Sequence, residues 1–207
     1  MVAVAAAAVV LSACSVAGEP ERAVDLHELM VPAADFPYGP ATPLPAQAVP
    51  GALSDITMRP LRDAVDPARC TPAEVDAPTA QISVGPGGEA HGTLTVLLAR
   101  SGQSLDEYVQ QNIDCAEFLG GSTGNERIAT QIVDSPAAAA GQSRAVVLRR
   151  TLSVPGSFAA TVIDEWMAQR GDVRVYVQNR HTGGALSESE QTSSKALFDA
   201  AVQRAFG

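Results

Sequence analysis

From Arg127 to Arg180 the chain presents four strand-like runs in succession, RIATQIVD, SRAVVLRRTLSV, FAATVIDEWMAQ and VRVYVQNR, separated only by short stretches. Consecutive strands joined without room for a crossover helix pair antiparallel, and no other feature of the sequence limits the fold so tightly. The last two runs flank Arg170-Gly171-Asp172. There Val173, Val175 and Val177 alternate with Arg174, Tyr176 and Gln178, which predicts a tight hairpin with one buried and one wet face. Upstream, TAQISVG and GTLTVLLAR lie on either side of PGGEAH and predict a second hairpin with a glycine-rich turn.

Helices are announced by their caps. Ser104 and Glu107 form a capping box ahead of LDEYVQQNIDCAEFL, where Leu105, Tyr108, Val109, Asn112 and Ala116 share a face, and Gly120-Gly121 supplies a stop. Ser187 and Glu190 repeat the signal before a stripe of Leu197, Phe198, Ala201, Val202 and Ala205, an amphipathic terminal helix. Asp25 and Glu28 predict a short helix over LHELMV that must stop before Pro32. The six prolines at 32, 37, 40, 43, 45 and 50 then exclude a helix or a central strand and leave an arm packed over the domain or a loose linker, of which the apolar Leu29, Met30, Phe36 and Tyr38 favour the packed arm. SDITMRPL reads as an edge strand, and PARCTPAEVDA as a loop or a short helical turn carrying Cys70.

With helices segregated from the strand run, the expected class is α+β: an antiparallel sheet of five to six strands with a central helix and a C-terminal amphipathic helix packed on it. Residues 52–207 form the single domain, preceded by the short helix and proline-rich arm of residues 24–51. A hydrophobic content of 46% is enough to build its core.

Motifs for chemistry are sparse. His27, His91 and His181 have no ligand partners at metal spacing, so no metal and no cofactor is expected, and each reads as a surface residue. There is no G-x-S-x-G elbow, and Gly85-Pro86-Gly87-Gly88 lacks the Lys-Ser/Thr and helix of a phosphate loop. Asp164, Glu165 and Trp166 suggest paired carboxylates beside a sugar platform. On a strand, however, Asp164 and Glu165 point to opposite faces, so they cannot serve one reacting centre; we expect one beside a partner arginine or at a strand end, the other solvated, and Trp166 in the core. Arg170-Gly171-Asp172 matches an integrin-binding tripeptide but also suits a tight turn. Arg149, Arg150, Arg174 and Arg180 could gather into a basic patch, although in a chain of net charge -9 cross-strand pairing with carboxylates is the simpler arrangement. The same net charge, with no Lys/Arg run, excludes nucleic acid as a partner.

The first thirteen residues, MVAVAAAAVVLSA, are uncharged and too short to span a bilayer, where about 20 residues are needed. They have the length of a signal-peptide apolar region without its basic lead; either the segment is not such a peptide or, as we expect, the true translation start lies upstream of Met1. Leu11-Ser12-Ala13-Cys14 resembles the lipobox of bacterial lipoproteins. The resemblance implies cleavage before Cys14 and diacylglycerol on its sulfur, with residues 14–23 as a tether and the mature protein held at the outer face of the cell membrane. Removing Cys14 from the count of three leaves Cys70 and Cys115, a pair outside the cytoplasm, which we expect to be disulfide-bonded.

The lipobox, the proline-rich lead, Asp35-Phe36-Pro37, the cysteine closing SLDEYVQQNIDC and the terminal helix together resemble small mycobacterial-type cell-envelope lipoproteins of unknown function. More distantly, they are similar to the extracellular sensor domains of mycobacterial receptor serine/threonine kinases. The resemblance implies a non-catalytic, ligand-binding or sensor-like envelope protein and supplies no catalytic residue. Its ligand classes are an envelope lipid, a glycan or a protein. A cell-envelope hydrolase and an accessory subunit of an envelope complex are the alternatives; the oligomeric state is left open.

Overall fold

All six strand runs between residues 79 and 180 become strands, and two more extend the sheet at its edges. The computed structural model describes residues 24–89, 91–121, 124–135 and 144–207, so Cys14, the signal-like segment and most of the tether lie outside the described residues. The strands are β1 (Thr42–Pro43), β2 (Gln81–Pro86), β3 (Thr93–Arg100), β4 (Glu117–Gly120), β5 (Glu126–Asp134), β6 (Arg144–Ser153), β7 (Thr161–Arg170) and β8 (Val173–Thr182). They form one antiparallel sheet in the order β1-β2-β3-β8-β7-β6-β5-β4. The α+β class and the antiparallel pairing therefore hold, but the sheet has eight strands where five to six were expected.

The additions have physical causes. At one edge the proline-rich arm contributes β1, a two-residue strand in which Pro43 is tolerated because only one side of the strand is paired. The arm is seated by Phe36 and Ala41, both buried, and a Cβ on Gly85 would come within 2.9 Å of the Phe36 ring. At the other edge, β4 is made from residues whose local pattern is helical. The helix α2 (Leu105–Asp114) has the expected capping box but ends at Asp114 rather than at Gly120. Cys115 leaves the helical conformation, and Phe118 then turns inward against Ile128 of β5. SDITMRPL is also reassigned: Ser54 to Thr57 belong to α1 (Val49–Thr57), started by Pro50 and ended by Met58 in the left-handed region at φ 62°.

Helices cover both faces of the central strands. On one face α3 (Glu188–Phe206), with its predicted Ser187–Glu190 capping box, packs Leu197, Phe198 and Ala201 on Leu94, Val96, Trp166, Val175 and Val177. The segment from Leu26 to Phe36 completes that layer; its expected helix is a 3-10 turn at Leu26–Leu29, capped by Asp25. On the other face α1 and α2 place Leu53, Ile56, Leu105 and Tyr108 over Leu97, Leu148, Met167 and Tyr176. The expectation of one wet face on the β7–β8 hairpin is thus wrong. Arg174, Tyr176 and Gln178 are as buried as the valines between them, because the period-2 pattern reports side-chain direction and a second helical layer lies over the polar side.

Cys70, on a 3-10 turn at Ala68–Cys70, and Cys115, at the C-cap of α2, form a disulfide across 45 residues of sequence. Around it Met58, Val65, Phe118, Ile128, Leu152 and Ile163 make a small separate core. A loop of this length stabilises the fold by about 4 kcal/mol in the chain-entropy description. The double variant Cys70→Ser/Cys115→Ser should lose an amount of that order in urea denaturation, and an unchanged midpoint would count against it.

Candidate functional site

The pairs Arg149-Arg150 on β6 and Asp164-Glu165 on β7 lie on neighbouring antiparallel strands, with Arg149 opposite Asp164 and Leu148 opposite Glu165. Alternation sends one arginine and one carboxylate to each face, so the sheet carries two ion pairs back to back. Both carboxylates are buried, which corrects the expectation that one would be solvated. The basic patch does not form either: Arg149 and Arg150 point apart, each to its own acid.

On the α1–α2 face the site is closed. Glu165 accepts from Arg150 Nη1 at 3.0 Å, from the Tyr108 hydroxyl at 3.1 Å and from Gln178. Arg150 also donates to Tyr108 and, at 3.3 Å, to Asn112 of α2. Arg174 is buried alongside with neutral partners, Gln169 Oε1 at 2.8 Å, the Tyr176 hydroxyl at 3.2 Å and the Gln103 carbonyl. Its guanidinium carbon sits 5.0 Å from the Tyr108 ring centroid, and that of Arg150 lies 5.9 Å from the same ring. Burial raises the Tyr108 hydroxyl well above an ordinary phenol; Arg150 pulls the other way and Glu165 adds to the rise. Desolvation opposes the charge on Arg150, but Glu165 and Tyr108 outweigh it, so the guanidinium is held more firmly protonated than usual. Burial likewise raises Tyr176, against the pull of Arg174. The Tyr108 and Tyr176 hydroxyls thus stay protonated and the Arg150 guanidinium charged, and the cluster ties α2 to the sheet.

On the α3 face the site is open. α3 lies over β7 and β8, and on β6 only the opposite side is sealed: Val146, Leu148, Arg150 and Leu152 are buried while Ala145, Val147, Arg149 and Thr151 are half-buried. Between α3 and the strands β5–β7 is a cleft of about 720 Å³, within the range of small-molecule sites, about 300–1,000 Å³. Ala145, Val147 and Trp166 form its floor, and Ala196 and Phe198 its helical wall. Polar groups stand around this lining: Arg149 and Asp164 on the sheet, Lys195 and Asp199 on α3, Asp134 at the end of β5.

Within the cleft Asp164 is fully engaged. Oδ1 accepts from Arg149 Nε and Nη2, each at 2.7 Å, and Oδ2 lies 3.1 Å from Nε2 of His181. His181 is therefore a buried partner of a carboxylate, not a surface residue, whereas His27 and His91 are exposed. Beside it Asn179 donates to Ser194 of α3 at 3.2 Å and to the Gly87 carbonyl at 3.0 Å. No serine, threonine or cysteine side chain among the described residues hydrogen-bonds to His181, so the Asp164–His181 pair is not joined to a nucleophile. Among the described residues there is also no group of three or more His, Cys, Asp or Glu side chains able to hold a metal ion, and no helix is long and apolar enough to cross a membrane.

No family model matches the chain, and no curated protein matches it. Among solved structures, an uncharacterised protein from Mycobacterium smegmatis, described as the Rv0999 ortholog, matches with a TM-score of 0.44 and 16% identity over 81% of this chain and 86% of its own. A likeness at that level carries no argument about function.

Trp166 was read as core and is one, at 7% exposed, but it also forms cleft floor. Its position next to two carboxylates was the one local sign of a polar site at this place. The buried Arg150–Glu165 pair gives a direct test. Arg150→Met should destabilise the fold by about 3–5 kcal/mol, because Glu165 is left charged and unpaired. The double variant Arg150→Met/Glu165→Leu should recover a measurable part of that loss in chemical denaturation. A double variant no more stable than the single one would contradict this account.

Proposed function

We propose that this chain is an extracytoplasmic, lipid-anchored lipoprotein that binds a small ligand without catalysis, in the manner of a sensor or carrier domain of the cell envelope. The observation that carries the reading is the cleft between α3 and β5–β7, an apolar floor and wall edged by the half-buried guanidinium of Arg149. Sites with this division bind by burying apolar surface and orient the ligand with few polar groups. The Cys70–Cys115 bond supports a compartment where disulfides persist, in keeping with acylation at Cys14.

Two outcomes follow. Cys14→Ala should move the protein from the membrane to the soluble fraction and abolish incorporation of radioactive palmitate; unchanged fractionation would sink the anchor. Native protein purified from an actinobacterial host should release a small molecule on solvent extraction, detected by mass spectrometry. The same extraction from Val147→Trp, whose indole fills the cleft floor, should yield none. Equal recovery from both proteins would place the ligand elsewhere.

A further inference from the structure

The cleft sets two cationic side chains with uncommitted donors beside an apolar floor, and this pairing indicates what it holds. Both oxygens of Asp164 are taken, one by Arg149 and the other by His181. Arg149 spends only Nε and Nη2 on that carboxylate; among the described residues its Nη1 donates to no group, and a third of the side chain remains exposed. The indole N–H of Trp166 also meets no acceptor among the described residues and is not one of their sealed, unpartnered polar atoms, so it too is accessible. On the wall, Lys195 gives one hydrogen to Asp199 at 2.6 Å and keeps two. Acceptors line the cleft as well: Asp199 is held by Lys195, Asp134 is an exposed carboxylate at the rim, and Gln191 and Thr192 stand on α3.

Beside these donors lie Ala145, Val147 and Phe198, with no hydrogen-bonding side chain of their own. We infer that the cleft takes an acidic amphiphile, an apolar chain laid along the floor with a carboxylate or phosphate head between Arg149 and Lys195. This assignment rests on the binding function proposed above and names its ligand class. A cationic head would find Asp134 at the rim but would face Arg149 and Lys195 beside the apolar floor. A neutral head would leave the Nη1 donors of Arg149 without the charged acceptor they suit, and hydrogen bonds to charged groups are the stronger ones. A free anion would leave the apolar surface wet.

Trp166 is the only tryptophan in the chain, so its fluorescence reports occupancy of the cleft directly. The full chain carrying Cys14→Ser, which removes the acylation site, would be titrated below micelle concentrations with dodecanoate, dodecyl phosphate, dodecan-1-ol and dodecyltrimethylammonium, and with acetate and inorganic phosphate. One or both acidic amphiphiles should bind saturably, roughly tenfold or more tighter than the alcohol and the cation, a difference of about 1.4 kcal/mol or more. Whichever of the two binds more tightly identifies the head. Arg149→Gln should remove that preference. Because this substitution also disturbs Asp164, the exposed Lys195→Gln serves as a second variant and should weaken the acids alone. Equal affinity for alcohol and acid would overturn the acidic head and leave a binding cleft standing. Acetate or phosphate binding as tightly as the amphiphiles would overturn the apolar chain. Binding unaffected by Val147→Phe, which fills the floor and leaves Trp166 the sole tryptophan, or no response of Trp166 to any probe, would overturn both this assignment and the cleft as a ligand site.

Discussion

The structure depends on the burial of β6, β7 and β8 from both sides. A sheet with one face in water can place every second residue there at no cost; this one cannot, because α3 covers one face of the central strands and α1 with α2 covers the other. Polar side chains on these strands must then find partners inside the protein or remain uncompensated in a medium of low dielectric. The chain meets this condition with two adjacent arginines on β6 and two adjacent carboxylates on β7, so that strand alternation puts one ion pair on each face. The pairs also discriminate between registers. A slip of β7 by one residue would bring Asp164, one methylene shorter, to the face where Glu165 now reaches Arg150, Tyr108 and Gln178 together.

Local signals in the sequence were read correctly where they are also decisive in the structure. Ser104 with Glu107 and Ser187 with Glu190 start helices because a capping box satisfies backbone donors within four residues, independent of the rest of the fold. The runs that became β2, β3 and β5 to β8 were visible because their β-branched patterns are long and their connections short. The errors lie where a distant contact overrides a local one. Cys115 to Gly120 carry helical periodicity, but the bond to Cys70 and the pairing of β4 with β5 turn them into a strand. Likewise Met58 ends α1 where a strand was expected, and Arg174 looked solvent-facing because nothing in VRVYVQNR reveals that α2 lies over it.

The candidate site was legible only in its chemistry. Asp164-Glu165-Trp166 and Arg149-Arg150 both stand out in the sequence, and their assignment to opposite faces follows from parity alone. The cleft does not. It exists because α3 crosses β7 and β8 and leaves the same side of β6 and β5 uncovered, so its floor is made of residues such as Ala145 and Val147 that are typical of any strand. His181 was missed for a related reason: its partner, Asp164, sits on the adjacent strand two residues along from its direct register partner, Val162, at a separation no linear pattern encodes.

The two faces divide the work between them. Behind the cleft, Arg150, Glu165 and Tyr108 lock the same two strands that present Arg149, Asp164 and Trp166 in front, and the disulfide fixes the end of the helix that carries Tyr108. The cleft floor is consequently supported by packing and hydrogen bonds on its far side, and Asp164 is held between Arg149 and His181 before any ligand arrives. Ordering side chains on binding costs about 0.5–1.5 kcal/mol for each one immobilised, and a guanidinium already fixed by a buried carboxylate avoids most of that cost. Under the proposed binding function, a closed ionic cluster on one face would serve binding on the other by making the open pair rigid, which would be a reason for a small domain to bury two salt bridges that apolar side chains could replace.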